Sequence, residues 1–396
     1  MGDLPMRILF ASPAYWPARA FGGPVAAARE LVARLVERGH AVEVVTTSLT
    51  DIGVRPARTG RVDSVDGATV HYLATPLRYR WMGITPGLPL TLRRLERPDV
   101  VHVFGFRDPV TTLTSRWARR RGIPTVFEPL GMFEPRLRKV RFKRIFDATV
   151  ASRVATRADA VVVVSALERD AVLAGGVQED RIVVRGNGFP EPREVRPDDL
   201  RGRLGISEDA PIVLYVGRIA AGKGIEILLA AVERLPEIHL VLLGPDDGHG
   251  VLGTVRAASR SAPLAGRVHV LPATPTTPFP VYAAADLLVL PSSGDSFGLV
   301  AAEAAAVGTP VVVTDHCGVA SFFREGEALV VPARADDVIG AISRAVADPA
   351  LRLSLAEGGR RAAARTSWDH VTTVQEQVYR AVASRTAVTK LSTLAG

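Results

Sequence analysis

The sequence predicts an α/β protein of two parallel-sheet domains. Two observations carry this: two successive series of short apolar strands alternating with helices, and a proline- and charge-rich break between them. A third is size and composition. The chain has 396 residues, of which 47% are hydrophobic and only 6% aromatic. That length accommodates two or three domains, and an Ala- and Val-rich interior suits tightly packed α/β layers.

The first series opens with the apolar strand Arg7 to Ala11, a loop to Gly22-Gly23-Pro24, a helix over Val25 to Arg38 and a strand over Ala41 to Thr46. Leu31, Val32 and Leu35 give that helix its apolar spacing, and Gly39-His40 ends it. Strand, helix and strand at this length imply a right-handed parallel crossover. Residues 51–98, rich in Pro, Gly and Arg, are assigned only loosely. The rhythm resumes with strands Asp99 to Phe104, Pro124 to Phe127 and Ala160 to Val164, and a helix Thr111 to Arg121.

Residues 189–208 carry Phe189-Pro190-Glu191-Pro192 and Arg196-Pro197-Asp198-Asp199 and read as a linker between a domain of residues 1–188 and one of 209–366. The second series has strands at Ile212 to Val216, His239 to Leu243, Val268 to Leu271, Leu287 to Leu290 and Pro310 to Val313, with a helix over Gly224 to Arg234. Residues 367–396 hold an amphipathic helix from Ser367 to Ser384, with an apolar stripe of Trp368, Val371, Val374, Val378, Tyr379 and Val382, and a tail.

The single cysteine, Cys317, excludes an intrachain disulfide and fits a reducing compartment. The start has no secretory signal pattern, and no stretch approaches the ~18 apolar residues of a membrane span. A cytoplasmic protein is expected, at the inner membrane face if its basic segment binds lipid. The formal charge of +8 is uneven, with 29 basic against 18 acidic residues in 1–190 and 20 against 23 beyond. The first half therefore carries the attraction for an anionic partner.

Three segments have residue types suited to chemistry. In Val216-Gly217-Arg218-Ile219-Ala220-Ala221-Gly222-Lys223-Gly224, between strand and helix, glycines let the backbone approach a ligand. Arg218 and Lys223 can face one anion there, a fork plus a point charge suited to a diphosphate; the plainer reading is a basic turn. In Leu290-Pro291-Ser292-Ser293-Gly294-Asp295-Ser296-Phe297-Gly298-Leu299-Val300-Ala301-Ala302-Glu303, a loop leads into a helix starting near Ser296. The amides of Gly298 and Leu299 then point outward, as phosphate sites require. Asp295 and Glu303 offer carboxylates to sugar diols, or else cap and solvate the helix. A buried Glu303 among alanines needs a partner. The third segment, the loop ending in Gly22-Gly23, brings amides to a helix start, though such a pair is more often only a turn.

Pro291-Ser292, Asp295 to Val300, Glu303-Ala304 and Gly308-Thr309-Pro310-Val311-Val312 together resemble the signature of glycosyltransferase family 4. Gly217-Arg218 with Lys223-Gly224 resembles its diphosphate motif. Phe21-Gly22-Gly23, Pro98 to His102 and Gly186-Asn187-Gly188 follow in the family's order, so the resemblance covers nearly the whole chain. It implies the GT-B fold, two Rossmann-like domains facing a central cleft, with the acceptor on the first domain and the nucleotide-sugar on the second. It also implies a retaining, metal-independent transfer without a cofactor, from a UDP-, GDP- or ADP-sugar to a glycan, lipid-linked or small-molecule acceptor that the sequence does not specify. The last helix crosses back to the first domain.

By position, the resemblance gives Arg218 and Lys223 the diphosphate, Glu303 the donor ribose and Asp295 the transferred sugar. Gly217, Phe297, Gly298, Leu299 and Val300 join the donor site, and Gly22 and Gly23 approach the diphosphate from the first domain. His102 is a candidate for catalysis or sugar contact, although a lone His ending a strand is more often structural. Three positions depart from the family pattern: Asp295 stands where Glu is usual, Phe104 where many members have a second His, and Leu130 within a Pro-His-Gly position.

Residues 136–146 are basic with interleaved apolar side chains. They read either as a helix on an anionic membrane surface or as a solvated helix packed through Leu137, Val140 and Ile145. Arg116 with Arg119-Arg120-Arg121 forms a second basic cluster. Charge alone would admit nucleic acid, but the chain carries no nucleic-acid module, so no such partner is expected. His316-Cys317 lacks companion ligands for a metal. Two rival functions remain: a sugar-nucleotide epimerase of the same fold, which needs cleft acid/base groups, and a non-catalytic sugar-nucleotide-binding subunit.

Overall fold

The structure, a computed structural model, describes residues 4–18, 21–51, 54–79, 82–131, 133, 152–189, 192, 194–274, 278–386 and 388. The chain divides into two compact units, one of Met1–Asn187 with Trp368–Gly396 and one of Gly188–Ser367.

The first unit runs β1 (Arg7–Ala11), α1 (Gly23–Glu37), β2 (Ala41–Thr47), β3 (Arg61–Val65), β4 (Ala68–Leu73), β5 (Leu77–Tyr79), β6 (Met82–Ile84), α2 (Leu88–Arg94), β7 (Val100–Phe104), α3 (Pro109–Arg120), β8 (Thr125–Glu128), α4 (Ser152–Thr156), β9 (Ala160–Val163), α5 (Ala166–Ala174) and β10 (Ile182–Val184). Its sheet has the order β10-β9-β8-β7-β1-β2-β4-β3. Every pair is parallel except β3 with β4. Strands β7, β8 and β9 are buried along their whole length, which is why they read as unbroken apolar runs. The loosely assigned region holds a β3–β4 hairpin turning on Asp66-Gly67, a two-stranded β5–β6 ribbon, and α2. The basic segment 136–146 lies outside the described residues.

The second unit runs α6 (Leu200–Leu204), β11 (Ile212–Val216), α7 (Ile225–Arg234), β12 (His239–Leu243), α8 (Val251–Ala258), β13 (Val268–Leu271), α9 (Phe279–Ala283), β14 (Leu287–Leu290), α10 (Leu299–Val307), β15 (Val311–Thr314), β16 (Leu329–Val331), α11 (Ala335–Ala347) and α12 (Pro349–Arg365). Its six strands are all parallel, in the order β13-β12-β11-β14-β15-β16. The segment read as a linker contains α6, capped by the Asp199 carboxylate and anchored by buried Leu200.

The last helix, α13 (Trp368–Ala383), belongs to the first unit. Its stripe of Trp368, Val371, Val374, Val378, Tyr379 and Val382 enters the core cluster that holds Ile8, Phe10, Leu31 and Val100. Arg38 reinforces the seat, pairing with Glu376 at 2.7 Å and with Asp369. Among the described residues no helix is long and apolar enough to cross a membrane.

Candidate functional site

In the second sheet the strand order reverses between β11 and β14. Connections leave two such strands in opposite directions and open a crevice outside their carboxyl ends, where ligands of open parallel sheets bind. The loops leaving these strands are 217–224 and 291–298, two of the segments singled out from the sequence.

Glycines let these loops pack. Gly217, at φ +145°, lies so close to Gly244 that a β-carbon on the latter would overlap the Gly217 carbonyl. Gly224, at φ +71°, caps α7 against the Pro291 carbonyl, which a β-carbon would likewise overlap. The Gly222 carbonyl joins the two loops, accepting from the Ser293 amide at 3.0 Å, the Ser293 hydroxyl at 3.0 Å and the Ser292 hydroxyl at 3.3 Å. Gly224→Ala is therefore expected to cost about 2 kcal/mol or more, from a left-handed backbone plus overpacking. Chemical denaturation checks it, and an unchanged midpoint would contradict this packing.

That frame brings Lys223 and Asp295 together. Lys223 Nζ stands 2.6 Å from Asp295 Oδ2, both side chains about one-fifth exposed (20% and 23%). Asp295 is fixed through its backbone: its amide donates to the His316 carbonyl and its carbonyl accepts from the Gly318 amide. Arg218 is exposed, and its guanidinium has no hydrogen-bond or ion-pair partner among the described residues. The buried Tyr215 hydroxyl donates to the Arg218 carbonyl at 2.9 Å and fixes that stretch of backbone. The Tyr215 phenol is held above its ordinary range by burial first and Asp295 next, with Arg218 opposing. Arg218 and Asp295 therefore share one electrostatic neighbourhood.

Helix α10 starts at Leu299, three residues beyond the expected start, because Gly298 at φ +95° caps it. The amides of Leu299 and Val300 fall in its first turn, where no intrahelical carbonyl reaches them. The Phe297 side chain is buried against Phe189 and Phe322, leaving only its backbone to a ligand. The alanines of α10 let α12 approach: a β-carbon at Gly359 would press on Ala305. Glu303 has the partner its surroundings require, the Tyr282 hydroxyl, which donates at 2.7 Å. Burial pushes the Glu303 carboxyl up to about 7, against that hydrogen bond. Tyr282, Ser292 and Ser293 were not singled out as working residues; only the Pro-Ser-Ser loop gave a signal, through its place after a strand.

In the first unit, Gly22 at φ +79° caps α1, which begins at Gly23 with Pro24 following. A β-carbon at Gly22 would meet nothing within 4 Å, so conformation and not crowding calls for glycine. His102 is fully buried. Its Nδ1 shares a 2.6 Å hydrogen bond with the Tyr379 hydroxyl, while its Nε2 lies 3.3 Å from Glu128 Oε2 without forming a hydrogen bond. Burial lowers its pKa despite Glu128, which favours the neutral imidazole. The buried Arg185 guanidinium donates to Glu128 at 2.8 Å and to Gln375 at 2.5 Å. Burial alone would raise the Glu128 carboxyl, but Arg185 and His102 hold it below the usual range. Phe104 and Leu130 are buried, Phe104 against Phe10 with ring centroids 5.2 Å apart. Among the described residues no group of three or more His, Cys, Asp or Glu side chains is placed to share a metal ion.

The family described as glycosyl transferases group 1 matches residues 197–362, and the glycosyl transferase 4-like domain matches 22–188. A D-inositol 3-phosphate glycosyltransferase of Nocardioides sp. is 30% identical over 392 residues, covering 89% of this chain and 83% of that protein. One from Xylanimonas cellulosilytica is 33% identical over 262 residues, covering 62% and 60%. The chain spans 48% of the Rhodococcus erythropolis counterpart, and thus about half the length of several of these relatives. Among solved structures, the sucrose-phosphate synthase of Thermosynechococcus elongatus superposes with a TM-score of 0.73 at 24% identity, covering 96% of this chain and all (100%) of that one. Anabaena HepE in complex with UDP-glucose gives 0.74 at 19% identity with the same coverage, 96% and 100%.

Proposed function

Because the chain belongs to glycosyltransferase family 4 and has its GT-B fold, we propose that it transfers a sugar from a nucleoside diphosphate donor to an acceptor hydroxyl with retention at the anomeric carbon and without a metal ion. The observation that carries this is the convergence of Lys223, Asp295, the unpartnered Arg218 and the first amides of α10 where the strand order reverses.

In this reading Arg218 and Lys223 hold the diphosphate. As the bond from the anomeric carbon to the diphosphate oxygen breaks, negative charge grows on the leaving group, and preorganised cations stabilise it. The acceptor oxygen bonds to the anomeric carbon on the same face, and its proton passes to the departing diphosphate. Asp295, which holds Lys223 in the unliganded site, accepts hydroxyls of the transferred sugar. Glu303 accepts from the ribose through the oxygen Tyr282 leaves free. His102, within β7 and without exposed surface, acts as a positioning residue. The relatives make a cyclitol phosphate the first acceptor to try.

A test is incubation with UDP-, GDP- and ADP-glucose and D-inositol 3-phosphate or simple sugars, with products read by NMR. A new glycoside keeping the donor's anomeric configuration is expected. An inverted product would reject retention, and an epimerised donor with no acceptor present would reject transfer.

Glu303 gives a pH prediction. Ribose hydroxyls favour the carboxylate form, whereas the free protein holds this group at about 7. Donor binding should therefore release a proton, and affinity should rise as pH rises, by up to about tenfold per unit below 7, levelling off above it. The unliganded protein changes oppositely: the raised folded value stabilises it fully below 4.5, and that contribution is lost as pH rises through about 7. Calorimetric titration across this range checks both signs; a Glu303→Gln variant with the same affinity profile would contradict the assignment.

A further inference from the structure

Away from the strand carboxyl ends, the first unit has a cavity of about 400 Å³ lined by Thr112, Ser115, Arg116, Arg119, Arg120, Arg153, Val154 and Arg157. Five arginines bound one concavity, and none has a hydrogen-bond or ion-pair partner among the described residues. Thr112, Arg116 and Arg119 recur along one face of α3, while Arg153 and Arg157 come from α4 and the residue after it. Arg119 is half-buried and the other four are exposed.

Topology fixes where this cavity lies. Helix α3 leaves the carboxyl end of β7 and runs back, so Arg119 and Arg120 reach its last turn shortly before β8 begins. Arg157 likewise stands three residues before β9. The arginines therefore gather at the sheet edge opposite the strand carboxyl ends. Two arginines in the last turn of α3 would complement its dipole. That need does not call for Arg116, Arg153 and Arg157 around the same concavity. Burial first, and then Arg157, Arg116, Arg153 and Arg120, push the Arg119 guanidinium below its ordinary value, so the five cations repel one another with no carboxylate paired to them among the described residues.

We propose that this cavity binds a ligand bearing two or more phosphate groups, as a site separate from the donor site. Guanidinium forks match phosphate oxygens bidentately, and the Thr112 and Ser115 side chains lining the cavity add hydroxyl donors. The chemistry is shared by a soluble polyphosphorylated metabolite and an anionic lipid headgroup.

The experiment uses the full chain and inorganic pyrophosphate as probe, by calorimetric titration and thermal shift. Lys223→Ala separates this site from the donor clamp and should retain the pyrophosphate response. Arg119→Gln with Arg157→Gln should weaken that response about tenfold or more. Without anion this variant should melt no lower than the parent, because it relieves repulsion. Arg116→Gln with Arg153→Gln, at exposed positions, repeats the test should the first pair fail to fold. Co-sedimentation with phosphatidylcholine vesicles, with and without cardiolipin, whose headgroup carries two phosphates, assigns the source. Arginine-dependent capture only by the acidic vesicles makes the ligand a headgroup, and pyrophosphate binding without capture makes it soluble. Pyrophosphate affinity unchanged in both double variants, or abolished by Lys223→Ala alone, overturns the proposal.

Discussion

Replacing Lys223 with alanine should lower kcat by about 100-fold or more, the usual loss when one preorganised donor to a developing charge is removed. The Lys223 ammonium is already placed, 2.6 Å from Asp295, by two loops joined through the Gly222 carbonyl. It needs no reorganisation as the diphosphate departs, so the loss should fall on kcat more than on KM. Stability should change by less than about 1 kcal/mol, since the ion pair is partly solvated and the remaining carboxylate keeps access to water. Steady-state kinetics with the donor and acceptor found by the product assay check this. An unchanged kcat would remove Lys223 from the transition-state site. Asp295→Glu, which restores the family's usual residue, serves as the companion measurement, because its extra methylene should alter sugar preference more than it alters folding.

The second large effect is on stability. Arg185→Ala should destabilise the first unit by about 3–5 kcal/mol, because it leaves the fully buried Glu128 carboxylate without its cation. Among the described residues Glu128 would then keep only the neutral His102 3.3 Å away. The loss also frees Gln375 on α13, loosening the last helix from the unit it completes. Calorimetry of the two units' transitions measures it. Arg185→Met combined with Glu128→Gln should cost much less, since no uncompensated charge remains. A loss under about 1 kcal/mol in the single variant would mean that the buried pair is not charged.

These two predictions differ in how much of their basis the sequence displayed. Strands such as β11 and β14 are buried on both faces, so Ile212 to Val216 and Leu287 to Leu290 stand out as apolar runs, and the loops that follow them were legible with them. Arg218, Lys223 and Asp295 were picked for residue type and position. Their pairing across 72 residues was not visible, because it depends on which strands become neighbours. The His102, Glu128, Arg185 and Tyr379 network was illegible for the same reason, with His102 and Tyr379 277 residues apart. His102 attracted attention as a lone titratable group, and only three-dimensional packing shows it fully buried, bonded to Tyr379 through Nδ1 and facing Glu128 with Nε2.

Local pattern failed where elements are short or exposed. Strand β3 is almost wholly exposed and carries Arg61 and Asp63, so it lacks the apolar signature of the parallel strands of the same sheet. Helix α6 has five residues and one buried side chain, too little for a periodicity to register beside the surrounding prolines. Arg116, Arg119 and Arg120 were conspicuous as a run. Arg153 and Arg157, which complete the cavity, are ordinary single charges until α4 packs beside α3.

The central claim is that the second unit binds a nucleoside diphosphate sugar between the loops after β11 and β14. The most direct test is a thermal-shift screen of UDP-, GDP- and ADP-sugars against the wild type, Lys223→Ala and Glu303→Gln. One nucleotide class should raise the wild-type melting temperature, by an amount that grows with the logarithm of ligand concentration, and both variants should respond less. Folded wild-type protein that responds to none of the three, or variants that respond as fully as the wild type, would contradict it.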